Sequence, residues 1–172
     1  VDAMSLQTTS RDNRNGLFSN MDDLDEEDFI SPTIRCVLFK LDTEIYGINV
    51  KKIREVLRVG TIRNVPGSSS NVIGVINVRG VIVTVIDGRR FYGLASKIVD
   101  DFSRIIIIEL DEDRAVGLMV DQVHEVKDIP ESRVELMTNT REGGSAYIQG
   151  IAHYQDNVII LVDTDNMFAS MG

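Results

Sequence analysis

GVINVRGVIVTVID, Gly74 to Asp87, is the stretch that decides the fold class of this chain. Its apolar residues (Val75, Ile76 and Val78, then Val81, Ile82, Val83, Val85 and Ile86) are β-branched, the type that fits a pleated and largely buried surface. Gly80 supplies the turn between them, so the stretch reads as a hairpin with Asn77 and Arg79 set between two apolar strands. A polar pair in that place needs a reason. Strands meeting at Arg79-Gly80 carry the Asn77 amide and the Arg79 guanidinium to the edge of a barrel, where a fork of five N–H donors can meet a carboxylate or backbone carbonyls. Either Arg79 closes an internal salt bridge, the commoner fate of such a residue, or it faces another molecule.

Outward from the hairpin the chain continues as short β segments punctuated by turns. Arg35 to Leu41 and Glu44 to Ile48 flank an Asp42-Thr43 turn and make a first hairpin. Asn49 reads as the N-cap of a short helix over Val50 to Val56, with Val50, Ile53 and Val56 or Leu57 at helical spacing. Pro66-Gly67 and three serines mark a loop. After the hairpin come a helical turn over Arg89 to Leu94 and a hydrophilic link from Ser96 to Ser103. A second set of strands then follows: Arg104 to Leu110, Ala115 to Val120 and Val123 to Ile129, and finally Tyr147 to His153 with Asn157 to Val162 around Tyr154-Gln155-Asp156. Asp163-Thr164-Asp165 begins a short C-terminal helix. VIGVINVRGVIVTVID and YIQGIAHYQDNVIILVD echo each other, which suggests an internal duplication. Many short strands and few helices predict an all-β protein of two small barrels packed together.

Length and composition suit a folded globular chain: 172 residues, 43% apolar. No stretch approaches the roughly 20 apolar residues of a membrane span, and no basic-then-apolar signal sequence opens the chain. Cys36 is the only cysteine, which rules out an intrachain disulfide and favours a reducing, cytoplasmic setting. The net charge of −9 is uneven, since residues 1–30 hold eight acids against two bases. Such a leader, poor in large apolar residues, cannot bury enough surface to offset its ordering entropy. Residues 1–33 are therefore expected to be a flexible acidic tail, within which Met21 to Phe29, MDDLDEEDF, has the composition of an acidic-hydrophobic docking peptide.

Catalytic signatures are missing. The sequence has no GxxxxGK[ST], no HExxH, no GxSxG and no Cys/His cluster able to complete a zinc site. His124 and His153 stand apart on strands, without a neighbouring nucleophile. Asp111, Glu112 and Asp113 sit in a hairpin turn, which favours acidic side chains for ordinary turn reasons, and the calcium-loop spacing is not met. Asp100 and Asp101 are adjacent on an extended segment and point apart. An acidic chain without tryptophan, lacking a strand face that combines basic and stacking residues, fits nucleic acid poorly.

Phe39, the Tyr46-Gly-Ile-Asn-Val run, Ile53 with Glu55-Val56, Val65-Pro66, Gly74 to Gly80 with Ile86-Asp87, and Gly117 to Asp121 with Val123 and Val126 stand in an order that resembles the CheW coupling proteins of bacterial chemotaxis. The resemblance runs from about residue 34 to the C-terminus. Thr84 and Gly88 depart from the family's frequent Pro and Leu at those places. It implies two SH3-like five-stranded barrels over residues 34–172, with a boundary near 95–103; the sequence leaves open whether the barrels exchange strands. It also implies a non-catalytic adaptor without cofactor or metal, at cytoplasmic receptor arrays, joining the tips of methyl-accepting chemoreceptors to the regulatory domain of the CheA histidine kinase. Carried over by position, Ile53, Glu55, Gly74, Asn77, Arg79 and Val126 match the receptor groove; the kinase is expected on a separate barrel face, the strand after Glu55 that includes Gly60 and Ile62. The alternatives are the coupling domain of a receiver-containing relative or of a non-swimming chemosensory pathway, and, from another class, a small β-barrel ligand-binding protein or enzyme.

Overall fold

The computed structural model describes residues 31–137 and 147–169. The acidic leader up to residue 30 lies outside them. Among the described residues eleven strands follow one another: β1 (Thr33–Leu41), β2 (Glu44–Asn49), β3 (Ile53–Arg58), β4 (Val72–Val78), β5 (Val81–Asp87), β6 (Arg104–Glu109), β7 (Ala115–Val120), β8 (Gln122–Pro130), β9 (Val134–Leu136), β10 (Ile148–Tyr154) and β11 (Asn157–Val162). Short helices, α1 (Gly88–Phe91) and α2 (Thr164–Ala169), follow the hairpins that echo each other in sequence.

The strands form two sheets. One has six strands in the order β8-β1-β2-β11-β10-β9, the other five in the order β3-β6-β7-β5-β4. In each, an antiparallel hairpin (β1–β2, β6–β7) is joined through one parallel pairing (β2 with β11, β7 with β5) to a second hairpin. The third strand of each set then leaves for the other sheet: β3, which follows β2, pairs with β6, and β8, which follows β7, pairs with β1. The chain changes sheets between β2 and β3 and again between β7 and β8, while the link near 95–103 joins β5 and β6 of one sheet.

The duplication extends to details. Gly74 and Gly150 each follow a register shift, and a Cβ at either would run into a facing carbonyl, that of Arg63 or of Glu135. Both hairpins close on two residues with positive φ, Arg79 (52°) with Gly80 (88°) and Gln155 (53°) with Asp156 (66°), the conformation that matches strand twist. Asp87 and Asp163 then accept from backbone N–H groups of the helices that follow. The six-to-five difference has a simple origin: β9 pairs with β10 where the other sheet has only the single bridge between Arg63 and Val75.

Cys36 to Phe39 in β1 and Ile105 to Ile108 in β6 are runs of four buried residues, each strand covered on both faces. Phe39, Leu41 and Ile48 of the first sheet meet Ile86, Ile106 and Leu118 of the second in one central cluster, flanked by a smaller cluster inside each sheet. At about 1.5–3 kcal/mol for each fully buried large side chain, this junction is the principal source of cohesion between the sheets. A polar clasp spans it as well. Arg89, after β5, donates to Asp121 Oδ2 (2.5 Å), between β7 and β8, and to Asp42 Oδ1 (3.3 Å), in the β1–β2 turn, while the Asp42 N–H donates to Asp121 Oδ2 (2.7 Å).

One element differs from expectation. Asn49 does cap, its side chain accepting from the Lys51 N–H, but only a single 3-10 turn (Val50–Lys52) follows before the chain becomes β3. Ile53, Glu55 and Leu57 are half-buried and Arg54, Val56 and Arg58 exposed, so the burial period is two and not helical. The isoleucine-rich β6 offers a ladder that a short helix there would leave unused. The first strand begins at Thr33, and Glu131 and Ser132 hold Pro32 and Ser31 by hydrogen bonds.

Candidate functional site

The tip of the β4–β5 hairpin fixes one charged group in the open. Asn77 Oδ1 accepts from the Gly80 N–H (2.8 Å), which closes the turn and leaves Arg79 at its outermost point. Arg79 reaches β3 and binds Glu55 through both ends of the fork, Nη1 to Oε2 at 2.6 Å and Nη2 to Oε1 at 2.7 Å. The hydrogen bond from Arg79 holds the Glu55 carboxyl below the usual carboxylate range and the same pairing raises Arg79. Yet the arginine side chain remains 72% exposed against 20% for Glu55. The salt bridge is internal, and the guanidinium still presents its outer edge to solvent.

Next to this tip are two exposed apolar residues that sequence reasoning did not single out. Val81 and Ile82 are 54% and 63% exposed at the start of β5. In the sequence they are hidden inside a continuous apolar run, which carries no alternation to say which residues face out. They form one side of a groove of about 720 Å³ that reaches the sheet junction at Phe91, Leu110 and Tyr147. On the other side of the hairpin, Ile82 and Asn77 border a cleft of about 530 Å³ that also takes in Leu57, Gly60 and Ile105.

The other residues carried over from the resemblance are distributed between these features. Ile53 begins β3 two positions before Glu55 and packs half-buried against the central cluster. Gly74 is buried beneath the Arg63 carbonyl, a steric reason for glycine that is independent of any partner. Val126 is 57% exposed in the middle of β8, opposite Val37, and belongs to the other sheet. Neither Ile53 nor Val126 lines the larger groove, although Arg54 does. Gly60 borders the smaller cleft with open space where a Cβ would be, and Ile62 packs half-buried against the core of the five-stranded sheet. The structure therefore brings Glu55, Asn77 and Arg79 together.

Among the described residues no group of His, Cys, Asp and Glu is placed to hold a metal ion, and no helix is long and apolar enough to cross a membrane. What the fold provides is two interlocked β subdomains with an exposed fixed charge beside two open depressions, the equipment of a docking scaffold. Comparison with known proteins makes that class specific: the CheW-like domain matches residues 35–171. The chemotaxis protein CheW of Klebsiella aerogenes is 28% identical over 142 residues, 78% of this chain and 81% of that one. That of Thermotoga maritima is 30% identical over 129 residues, 75% and 83% respectively. The scaffolding protein TtCheW from Thermoanaerobacter tengcongensis superposes with a TM-score of 0.73 at 33% identity, covering 79% of this chain and 92% of the other. The chain belongs to the CheW-like family. It is a chemotaxis scaffold and not an enzyme.

Proposed function

We propose that this chain couples chemoreceptors to the CheA histidine kinase, holding both in a cytoplasmic array at the membrane. The observation that carries the reading is the Arg79 guanidinium, fixed by Glu55 and exposed beside a groove in which Val81, Ile82, Phe91 and Tyr147 alternate with charged residues such as Arg54, Asp113 and Arg114. A receptor tip is a helical hairpin, and helix-in-groove docking takes its affinity from buried apolar anchors while charged groups at the rim set register. Ile82, Phe91 and Tyr147 supply the anchors' pocket, Arg79 and Glu55 the rim, and Ile53 and Val126 extend the receptor surface on β3 and β8. Asn77 and Gly74 act by shaping the hairpin that carries Arg79. The kinase regulatory domain takes the smaller cleft, which Gly60 borders and whose lining residues Thr61 and Arg63 flank the half-buried Ile62. Two adjoining depressions that share Ile82 let one scaffold hold both partners, so that a shift in one biases the other.

The test is a calorimetric titration of the full chain against a CheA regulatory domain and, separately, against a receptor tip, with Arg79→Asp alongside. The reading requires that wild type binds both and that Arg79→Asp loses the receptor but keeps the kinase. A wild type that binds neither ends it.

A further inference from the structure

One end of the five-stranded sheet carries positive charge without compensation. Arg58 and Arg104 stand directly opposite each other on β3 and β6, and like charges facing across a strand pair cost stability. Arg104 finds acceptors of its own, turning Nη1 to the backbone carbonyls of Asp101 and Ser103, 2.8 Å each. Arg63 is fixed through its main chain, whose N–H donates to the Val75 carbonyl (2.9 Å) and whose carbonyl accepts from the Val75 N–H (2.8 Å). Yet both Arg58 and Arg63 are exposed, and among the described residues no hydrogen bond or ion pair engages either side chain. From Ile53 to Gly80 the chain has four arginines and a single carboxylate, Glu55, which Arg79 occupies, while Arg54 pairs with Glu109. Arg58 and Arg63 line the cleft of about 530 Å³, whose apolar wall includes Leu57, Ile76 and Ile105. Gly60, on the segment between them, has open space where a Cβ would stand.

We infer that the partner element received by this cleft is acidic: a segment of the kinase regulatory domain that sets carboxylates against Arg58 and Arg63 and a large apolar side chain against Leu57, Ile76 and Ile105. The inference rests on the coupling reading, which assigns that domain to this cleft, and adds the chemistry by which it is recognised. Charge complementarity carries it. A guanidinium takes a carboxylate through two parallel N–H···O bonds, the geometry that Arg79 already makes with Glu55. Arg79 has its carboxylate within the chain, whereas Arg58 and Arg63 take theirs from outside. The apolar wall decides between a protein and a polyanion. A nucleic acid or a free anion would meet the arginines and leave that wall unused, and the chain's net charge of −9 repels an extended polyanion. A protein surface with a few carboxylates around an apolar anchor satisfies both, the anchor supplying affinity and the charges approach and register. The opposition of Arg58 to Arg104 is then a stability cost retained for binding.

The experiment is calorimetric titration of the full chain with a CheA regulatory domain and with a receptor tip, at ~50 mM and ~500 mM salt. Three samples are compared: wild type; the reversed pair Arg58→Glu, Arg63→Glu; and the neutral pair Arg58→Gln, Arg63→Gln. At the lower salt the reversed pair should bind the regulatory domain at least about tenfold more weakly than wild type, with the neutral pair between them, and the differences should shrink at the higher salt. Neither arginine lines the larger groove, so receptor binding should be the same in all three. Urea midpoints of both variants should be no lower than that of wild type, because the change relieves the opposition to Arg104; this separates lost binding from lost fold. A wild type that binds neither partner ends the coupling reading and the inference with it. A wild type that binds both, with variants that bind the regulatory domain equally well or differ from it to the same extent at either salt, ends the inference alone. Self-association of wild type in sedimentation velocity at low salt, absent from the reversed pair, would give the arginines to a second copy of the chain and also overturn it.

Discussion

Arg79 and Glu55, 24 positions apart, meet in two parallel N–H···O bonds at the tip of a hairpin whose turn holds Arg79 at φ 52°. A non-glycine residue with positive φ is uncommon, and here the ion pair and the Asn77–Gly80 bond together hold the conformation. The carboxylate's protonation is therefore coupled to the shape of the tip. Because the folded-state acidity of Glu55 is stronger than normal, the pair's contribution is present above the ordinary carboxylate range and lost as pH falls through the lowered folded value. NMR titration of the Glu55 side chain should show it below that range in wild type and back within it in Arg79→Ala. Identical titration in the two proteins would mean that the bond does not persist in solution.

Gly74 and Gly60 should respond oppositely to a single methyl group. At Gly74 the new Cβ runs into the Arg63 carbonyl and must break the bridge to Val75, at a cost of about 1–3 kcal/mol. At Gly60 there is open space, and the change should stay within about 0.5 kcal/mol. Urea midpoints of Gly74→Ala and Gly60→Ala give the comparison, and equal midpoints would contradict the packing described.

Removing Arg89 strands two carboxylates. Its side chain is 15% and that of Asp121 13% exposed, whereas Asp42 is 52% exposed. Removing the guanidinium leaves the half-buried Asp121 without its counter-charge, so Arg89→Ala should be markedly less stable than Asp42→Asn, which keeps a residue suited to the positive φ at 42 and removes only the charge of the solvated arm. Thermal or urea unfolding that ranks the two variants the other way would show that the clasp is not centred on Asp121.

Burial pushes the Cys36 thiol up to about 11, so almost none is thiolate at pH 8. Alkylation of the native chain at that pH should be slow and should accelerate with urea in parallel with unfolding. Rapid labelling without denaturant would place Cys36 at a surface and not within β1.

Ile82 tests the docking surface without touching the core. Exposed and bordering both depressions, it can become Ser with a stability change within about 0.5 kcal/mol. On the coupling reading, Ile82→Ser weakens receptor binding, measured by the same calorimetric titration. Unchanged affinity would remove Ile82 from that surface.

Much of the fold was legible because strand signals are local. The β-branched runs, the Asp42-Thr43 and Arg79-Gly80 turns and Asp163 at the start of the last helix each state their role within a few residues. Residues 50–56 misled because Val50, Ile53 and Val56 have helical spacing, while their actual partner, β6, lies some fifty positions away and leaves no mark nearby. The sixth strand, Val134–Leu136, is too short to show a period. At the site, Arg79 stood out as a polar residue between apolar strands, but its bond to Glu55 needed the fold, and exposed Ile82 was indistinguishable from buried Ile86.

The exchange of β3 and β8 has a mechanical consequence. Sheet pairing crosses between segments on either side of residues 95–103, since β3 pairs with β6, β5 with β7 and β1 with β8. A protease cutting that link would sever the backbone without releasing either piece, for each fragment supplies strands the other cannot replace. The two sheets are thus tied together by interlacing as well as by adhesion, and a pull applied at one reaches the other through the covalent crossings from β2 to β3 and from β7 to β8.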